Sequence, residues 1–112
     1  MSIKISNWKT QIRKGYLELC ILALIKTRTK MYGSQILASL QEIRIDVKEG
    51  TLYPLLKRMS NDKVLLAKWE TKNNSGHPRK YYELTNDGLM SLVNMENEFS
   101  KMIEIYETLK ER

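Results

Sequence analysis

The apolar positions of residues 46–59 fall on one side of a helix. Leu52, Leu55, Leu56 and Met59 recur at helical spacing and mark a face turned to a core. Lys48, Thr51, Tyr53, Lys57 and Arg58 occupy the other side, a cationic and hydroxyl-bearing surface of the kind that meets phosphates and base edges. Asp46 and Glu49 stand three apart and suggest a capping box. Pro54 removes a backbone donor, so either the helix starts late with Pro54 in its first turn, or it starts near Lys48 and bends.

The same reading carried along the chain predicts one domain. Residues 1–10 read as an irregular arm with Trp8 as its large apolar group. A first helix is expected over 11–27; between Tyr16 and Ile25 only Glu18 is charged, and a helix so apolar is covered on more than one side. A second chain would supply that cover. Arg13 and Lys14 would then sit at the helix start, against its dipole unless an anion is near. Residues 27–30 form a basic turn. A second helix runs from about Tyr32 to Glu42, with Ile36, Leu37 and Leu40 inward, and 43–47 connect it to the helix already described. Two short helices joined tightly, the second one basic, resemble a helix-turn-helix.

Beyond residue 63 the period shortens. Residues 64–71 are rich in apolar and β-forming types, 72–78 in turn formers, and 79–84 read as the returning strand of a two-stranded hairpin. From Thr85, a plausible cap, a long helix should reach Arg112, with Gly88 a weak point. Leu92, Met95, Phe99, Met102, Tyr106 and Leu109 alternate spacings of three and four, a coiled-coil-type seam. Some 25 residues at 1.5 Å each span about 37 Å, more than so small a domain can cover, so a partner helix is expected. The fold class is therefore mostly α with a small β hairpin, divided into arm (1–10), winged helix-turn-helix (11–85) and dimerisation helix (86–112).

Composition narrows the function. The chain has 112 residues, 42% of them hydrophobic, and a net charge of +6, which favours a polyanionic partner. No apolar run approaches a membrane span, and the polar N-terminus lacks a signal-peptide core. Cys20 is the only cysteine, which excludes an internal disulfide and fits a reducing cytoplasm. His77 is the only histidine, with no cysteine or second histidine beside it to hold a metal, and no cofactor is called for. Paired carboxylates, nucleophile motifs and a glycine-rich phosphate loop are missing, which argues against an enzyme.

Four segments carry a family resemblance. Arg13-Lys14-Gly15, Met31-Tyr32-Gly33, the run from Glu49 through Thr51-Leu52-Tyr53-Pro54 to Arg58, and the run from Pro78 through Arg79-Lys80-Tyr81-Tyr82 to Thr85 occur in the order and spacing of the PadR transcriptional regulators. The chain resembles the short branch of that family, with a single C-terminal helix. The resemblance implies a winged helix-turn-helix homodimer, joined by its last helix with help from the first. It also implies binding to an inverted-repeat operator in double-stranded DNA, usually as a repressor, with small aromatic compounds as effectors in some members. Drug-sensing members carry a tryptophan on the last helix; here Phe99 lies at about that place.

On this reading Lys48, Gly50, Thr51, Tyr53 and Lys57 face the major groove, with Gly50 allowing close backbone approach. Lys14, Tyr32 and Ser34 are candidate phosphate clamps, although Tyr32 reads equally well as a core aromatic with a surface hydroxyl. Lys72, His77, Arg79 and Lys80 charge the wing, and Arg79 suits a narrow minor groove. Tyr16, Cys20, Leu92, Met95, Phe99, Met102, Tyr106 and Leu109 form the expected dimer interface or effector pocket. A winged-helix adaptor that binds protein instead of DNA is the alternative.

Overall fold

The computed structural model describes residues 4–71 and 76–111. Its elements are α1 (Ile5–Arg28), β1 (Lys30–Tyr32), α2 (Gly33–Glu42), α3 (Glu49–Asn61), β2 (Leu65–Glu70), β3 (Arg79–Leu84) and α4 (Asn86–Lys110). The strands form one antiparallel sheet in the order β1-β3-β2. Helix-turn-helix followed by a hairpin is the winged-helix arrangement, here with a third strand and a long terminal helix.

The core draws on every layer. Leu17, Ile21, Leu22 and Ile25 of α1 meet Ile36 and Leu40 of α2 and Leu52, Leu56 and Met59 of α3, and all are buried. Met31, Leu65 and Tyr82 close it from the sheet, and Leu92 from α4. Tyr82 faces inward while its neighbour Tyr81 is only half-buried, the alternation a strand imposes. Arg13 Nη1 donates to the Asp46 carbonyl at 2.8 Å, tying α1 to the α2–α3 connection. An Arg58–Glu18 ion pair joins α3 to α1.

Several expectations are corrected. Residues 5–10 are not an irregular arm, because α1 starts at Ile5. Ile5, Trp8, Ile12 and Tyr16 extend one apolar stripe at helical spacing, and nothing in the segment breaks a helix. Arg13 and Lys14 therefore lie well inside α1, beyond the first turn where the dipole acts. The basic turn is shorter than expected. Thr29 ends α1 with φ 72°, and Lys30–Tyr32 then pairs with β3 as Met31↔Tyr82, making the hairpin a three-stranded sheet. The Asp46–Glu49 capping box does not form. Lys48 is the N-cap of α3 and makes no side-chain cap bond. Of the two courses open to Pro54, the early start holds, for it sits inside α3 as the sixth helical residue.

Thr85 caps α4, its Oγ1 accepting from Gly88 N at 2.9 Å and donating to the Lys63 carbonyl at 2.6 Å. Gly88 is a required contact and not a weak point. A Cβ there would run into the Val64 carbonyl oxygen, so only glycine lets the first turn of α4 press on the chain entering β2.

Burial then falls away along α4. Leu92 is 1% exposed and Met95 half-buried, but Met102, Tyr106 and Leu109 are 54%, 59% and 64% exposed. The chain measures 59 × 31 × 23 Å with a radius of gyration of 16.3 Å. A compact domain of this length would have about 13 Å. The excess reflects the far end of α4, which extends past the core that anchors its first turns.

Candidate nucleic-acid interface

The outer surface of α3 is set by its buried side. With Leu52, Leu56 and Met59 inward, a turn of about 100° per residue sends Gly50, Pro54 and Lys57 to the opposite side. All three are exposed, as is Lys48 at the helix entry. Among the described residues outside its own helical turn, nothing lies within 4 Å of the space a Gly50 Cβ would fill, so another molecule can approach the backbone there. Thr51 and Tyr53, which the sequence placed together with these residues, lie on the two flanks.

On one flank Tyr53 reaches α2. A Cβ on Gly33 would stand 2.6 Å from Tyr53 Cε1, so the missing side chain at Gly33 makes the seat for this ring. Tyr53 there joins Tyr32, Ser34, Trp69, Arg79 and Lys80 around a concavity of about 310 Å³. α2 begins at its rim. Gln35 Oε1 accepts the Tyr32 amide at 2.9 Å, while the amides of the first turn have no intrahelical acceptor. The Arg79 guanidinium lies 3.7 Å over the Tyr32 ring, and its Nη2 donates to Ser34 Oγ at 3.4 Å. Lys80 stands 5.4 Å over Trp69, its cross-strand partner, and Lys30 lies 4.8 Å over Tyr81.

On the other flank Thr51, Pro54, Leu55 and Arg58 face Thr10, Arg13, Lys14 and Leu17 of α1 across a cleft of about 460 Å³. Leu55, expected inward with Leu52 and Leu56, is only half-buried because it lines this cleft. Lys14 is thus separated from Tyr32 and Ser34, and the three expected phosphate clamps fall into two groups. Lys72 lies outside the described residues, and His77 is exposed in the wing.

Sequence reasoning missed two participants. Trp69 and Glu70 become visible once the register Trp69↔Lys80 and Glu70↔Arg79 is set, because cross-strand neighbours interact. Arg13 and Arg58 were read from the sequence as cationic positions, and the α1–α3 packing brings them to one cleft. The Tyr32 hydroxyl, expected either to clamp a phosphate or to rest at the surface, donates to the Glu70 carboxylate. That bond, aided by desolvation, raises the Tyr32 pKa above its ordinary value.

The expected interface residues divide as well. Leu92 belongs to the chain's own core. Tyr16, Met95, Phe99, Met102 and Tyr106 line a groove of about 660 Å³ together with Trp8 and Ile12 of α1, and the Tyr16 and Phe99 ring centroids are 5.9 Å apart. Leu109 is exposed beyond it. Cys20 is half-buried and its thiol pKa is raised by burial, which favours the unreactive neutral form.

A helix-turn-helix with an exposed cationic second helix, flanked by a basic wing, defines a winged-helix protein of the DNA-binding type. The model of the transcriptional regulator PadR-like family matches residues 21–94, and the chain belongs to that family. A PadR-like transcription factor from Bacteroides fragilis is 42% identical with a TM-score of 0.77, the match covering 92% of this chain and 98% of that one. A PadR family regulator from Eggerthella lenta is 30% identical with a TM-score of 0.83, over 96% and 92% of the two chains. An uncharacterized protein of Lysinibacillus sphaericus is 29% identical over 106 residues, which is 92% of this chain and 95% of that protein. The chain is accordingly a transcriptional regulator of a DNA-binding family, and no helix among its described residues is long and apolar enough to cross a membrane.

Proposed function

We propose that this regulator acts as a homodimeric repressor on an inverted-repeat operator. The observation that carries the reading is the unburied apolar side of α1 and α4. Trp8, Ile12, Tyr16, Met102, Ile103 and Tyr106 stand exposed along one groove in a chain whose core is otherwise complete. An apolar face of this length is stabilised by burial against a second copy. Two copies joined there present two α3 helices to one duplex. Lys48, Gly50, Tyr53 and Lys57 enter the major groove, with Thr51 at its α1-side edge. Lys14, Ser34, Arg79 and Lys80 meet the sugar-phosphate backbone, and His77 belongs to the wing that lies along it.

The groove also suits a small planar aromatic effector. Trp8, Tyr16, Phe99 and Tyr106 supply ring faces, and the two methionines adapt to shape. Such a compound releases DNA by binding the non-DNA-binding state of the dimer more tightly.

The test is a footprint on the DNA upstream of the protein's own gene, with and without planar aromatic compounds. Two protected half-sites with centres about one helical turn apart are expected. A lack of protection in dilute salt, with the protein folded, would remove the DNA reading in favour of a protein-binding adaptor. A footprint confined to one half-site would remove the symmetric dimer.

A further inference from the structure

Three elements converge at the root of the wing. Glu70 ends β2, Arg79 starts β3 directly opposite it, and Tyr32 stands at the entry to α2. The Tyr32 hydroxyl donates to the Glu70 carboxylate. The flat side of the Tyr32 ring carries the Arg79 guanidinium at 3.7 Å, with Ser34 Oγ reached by Nη2 at 3.4 Å. The Tyr81 ring meets the Tyr32 ring edge-on at a centroid distance of 6.3 Å and limits its tilt.

We propose that Tyr32 and Glu70 are positioning residues that hold Arg79 in one orientation for the DNA backbone and do not themselves grip it. This deepens the DNA-binding reading above and rests on it. A tyrosine has one hydroxyl proton, and here Glu70 takes it, so the phosphate-clamp role falls to Arg79. Stacking occupies a face of the guanidinium and leaves its edge free, and the edge is where two parallel N–H donors match a phosphate. Free in solution an arginine samples many rotamers; held by the Tyr32 ring and Ser34 Oγ it meets the backbone with less of that freedom left to lose on binding. The carboxylate supplies a sharp test. A negative charge beside a phosphate-binding arginine weakens DNA affinity, so deleting it should strengthen binding if charge alone mattered.

The experiment compares Glu70→Gln with Glu70→Ala in the full chain, each with Arg79 present and in an Arg79→Ala background. Fluorescence anisotropy is read on a labelled duplex from the upstream region bound by the wild-type protein. Both variants remove the charge; only alanine also removes the acceptor for Tyr32. Glu70→Ala is expected to bind about threefold to tenfold more weakly than Glu70→Gln, and the difference is expected to vanish without Arg79. Tyr32→Phe keeps the ring beneath the guanidinium and loses only the hydroxyl. It should show the same dependence on Arg79, with an unchanged melting transition confirming the fold. Equal binding by the two Glu70 variants overturns the proposal, as does a difference that persists without Arg79, or an Arg79→Ala protein that binds like wild type. A wild-type chain that ignores duplex DNA fails the parent reading and the brace with it, whereas wild-type binding with strictly additive losses removes the brace alone.

Discussion

Gly88→Ala separates helix propensity from packing, because the two demand opposite signs. Gly88 is the third residue of α4, so on propensity alone alanine should stabilise the helix by about 1 kcal/mol. The structure forbids that gain. The new Cβ would overlap the Val64 carbonyl oxygen and lie 3.2 Å from its carbon and 3.4 Å from Thr85 Oγ1. These are backbone and capping atoms that cannot swing aside. The same carbonyl accepts the Thr85 amide at 3.2 Å and stands 3.1 Å from Thr85 Oγ1, as the weaker acceptor of a hydroxyl proton shared with the Lys63 carbonyl, so moving it loosens the cap. Overpacking of this kind costs about 1–3 kcal/mol, and loss of a cap about 1 kcal/mol more, which together exceed the propensity gain. Net destabilisation of about 1–3 kcal/mol follows, a fall in Tm of roughly 4–8 °C per kcal/mol for a domain of this size. The assay is thermal and urea denaturation by circular dichroism at one fixed protein concentration. Gly50→Ala is the control: it too lies in the first turn of a helix, but a Cβ there meets nothing within 4 Å. A Gly88→Ala protein that melts at or above wild type would show that the contact with Val64 does not govern this position.

Other outcomes follow from the same contacts. Gly50→Ala should leave stability equal or slightly raised yet weaken DNA binding, as seen by anisotropy, because its open side is where DNA backbone would approach. Lys57→Ala should weaken binding to all sequences and flatten the plot of log affinity against log salt by about one unit, and an unchanged slope would remove Lys57 from the contacts. Cys20 should react slowly with iodoacetamide at neutral pH and faster as the pH rises, because burial holds its folded pKa above the unfolded value. By linkage, that stabilising contribution is present below the unfolded thiol's pKa and is lost as pH rises through the folded one. Labelling of native protein at the rate seen in denaturant would contradict this.

What the sequence made legible was local. Strand β3 was found at its observed bounds because Pro78 precedes it and Tyr81 and Tyr82 alternate within it. The cap at Thr85 was equally readable, since it acts on a residue three positions away. Strand β1 was missed because three residues carry too little pattern, and its pairing partners lie some 50 positions on. The first turns of α1 were missed for another reason: Ile5 and Trp8 point away from the chain's own core, so its inward pattern gave no sign of them. At the interface, the types of cation and hydroxyl were visible, but not their division over two flanks of α3. The linkage of Tyr32 to Glu70 depends on strand register and on the entry angle of α2. Gly88, read as a local weakness, shows that a residue's intrinsic preference is decided by what stands opposite it.

The proposed DNA-binding dimer requires α1 and α4 of two chains to cover each other's apolar groove. Sedimentation equilibrium of the full chain at micromolar concentration tests this most directly. The mass should be twice the 13.2 kDa of one chain, and Met102→Glu should shift it toward the single-chain value while the far-ultraviolet spectrum stays helical. A wild-type protein that sediments at 13.2 kDa would contradict the account.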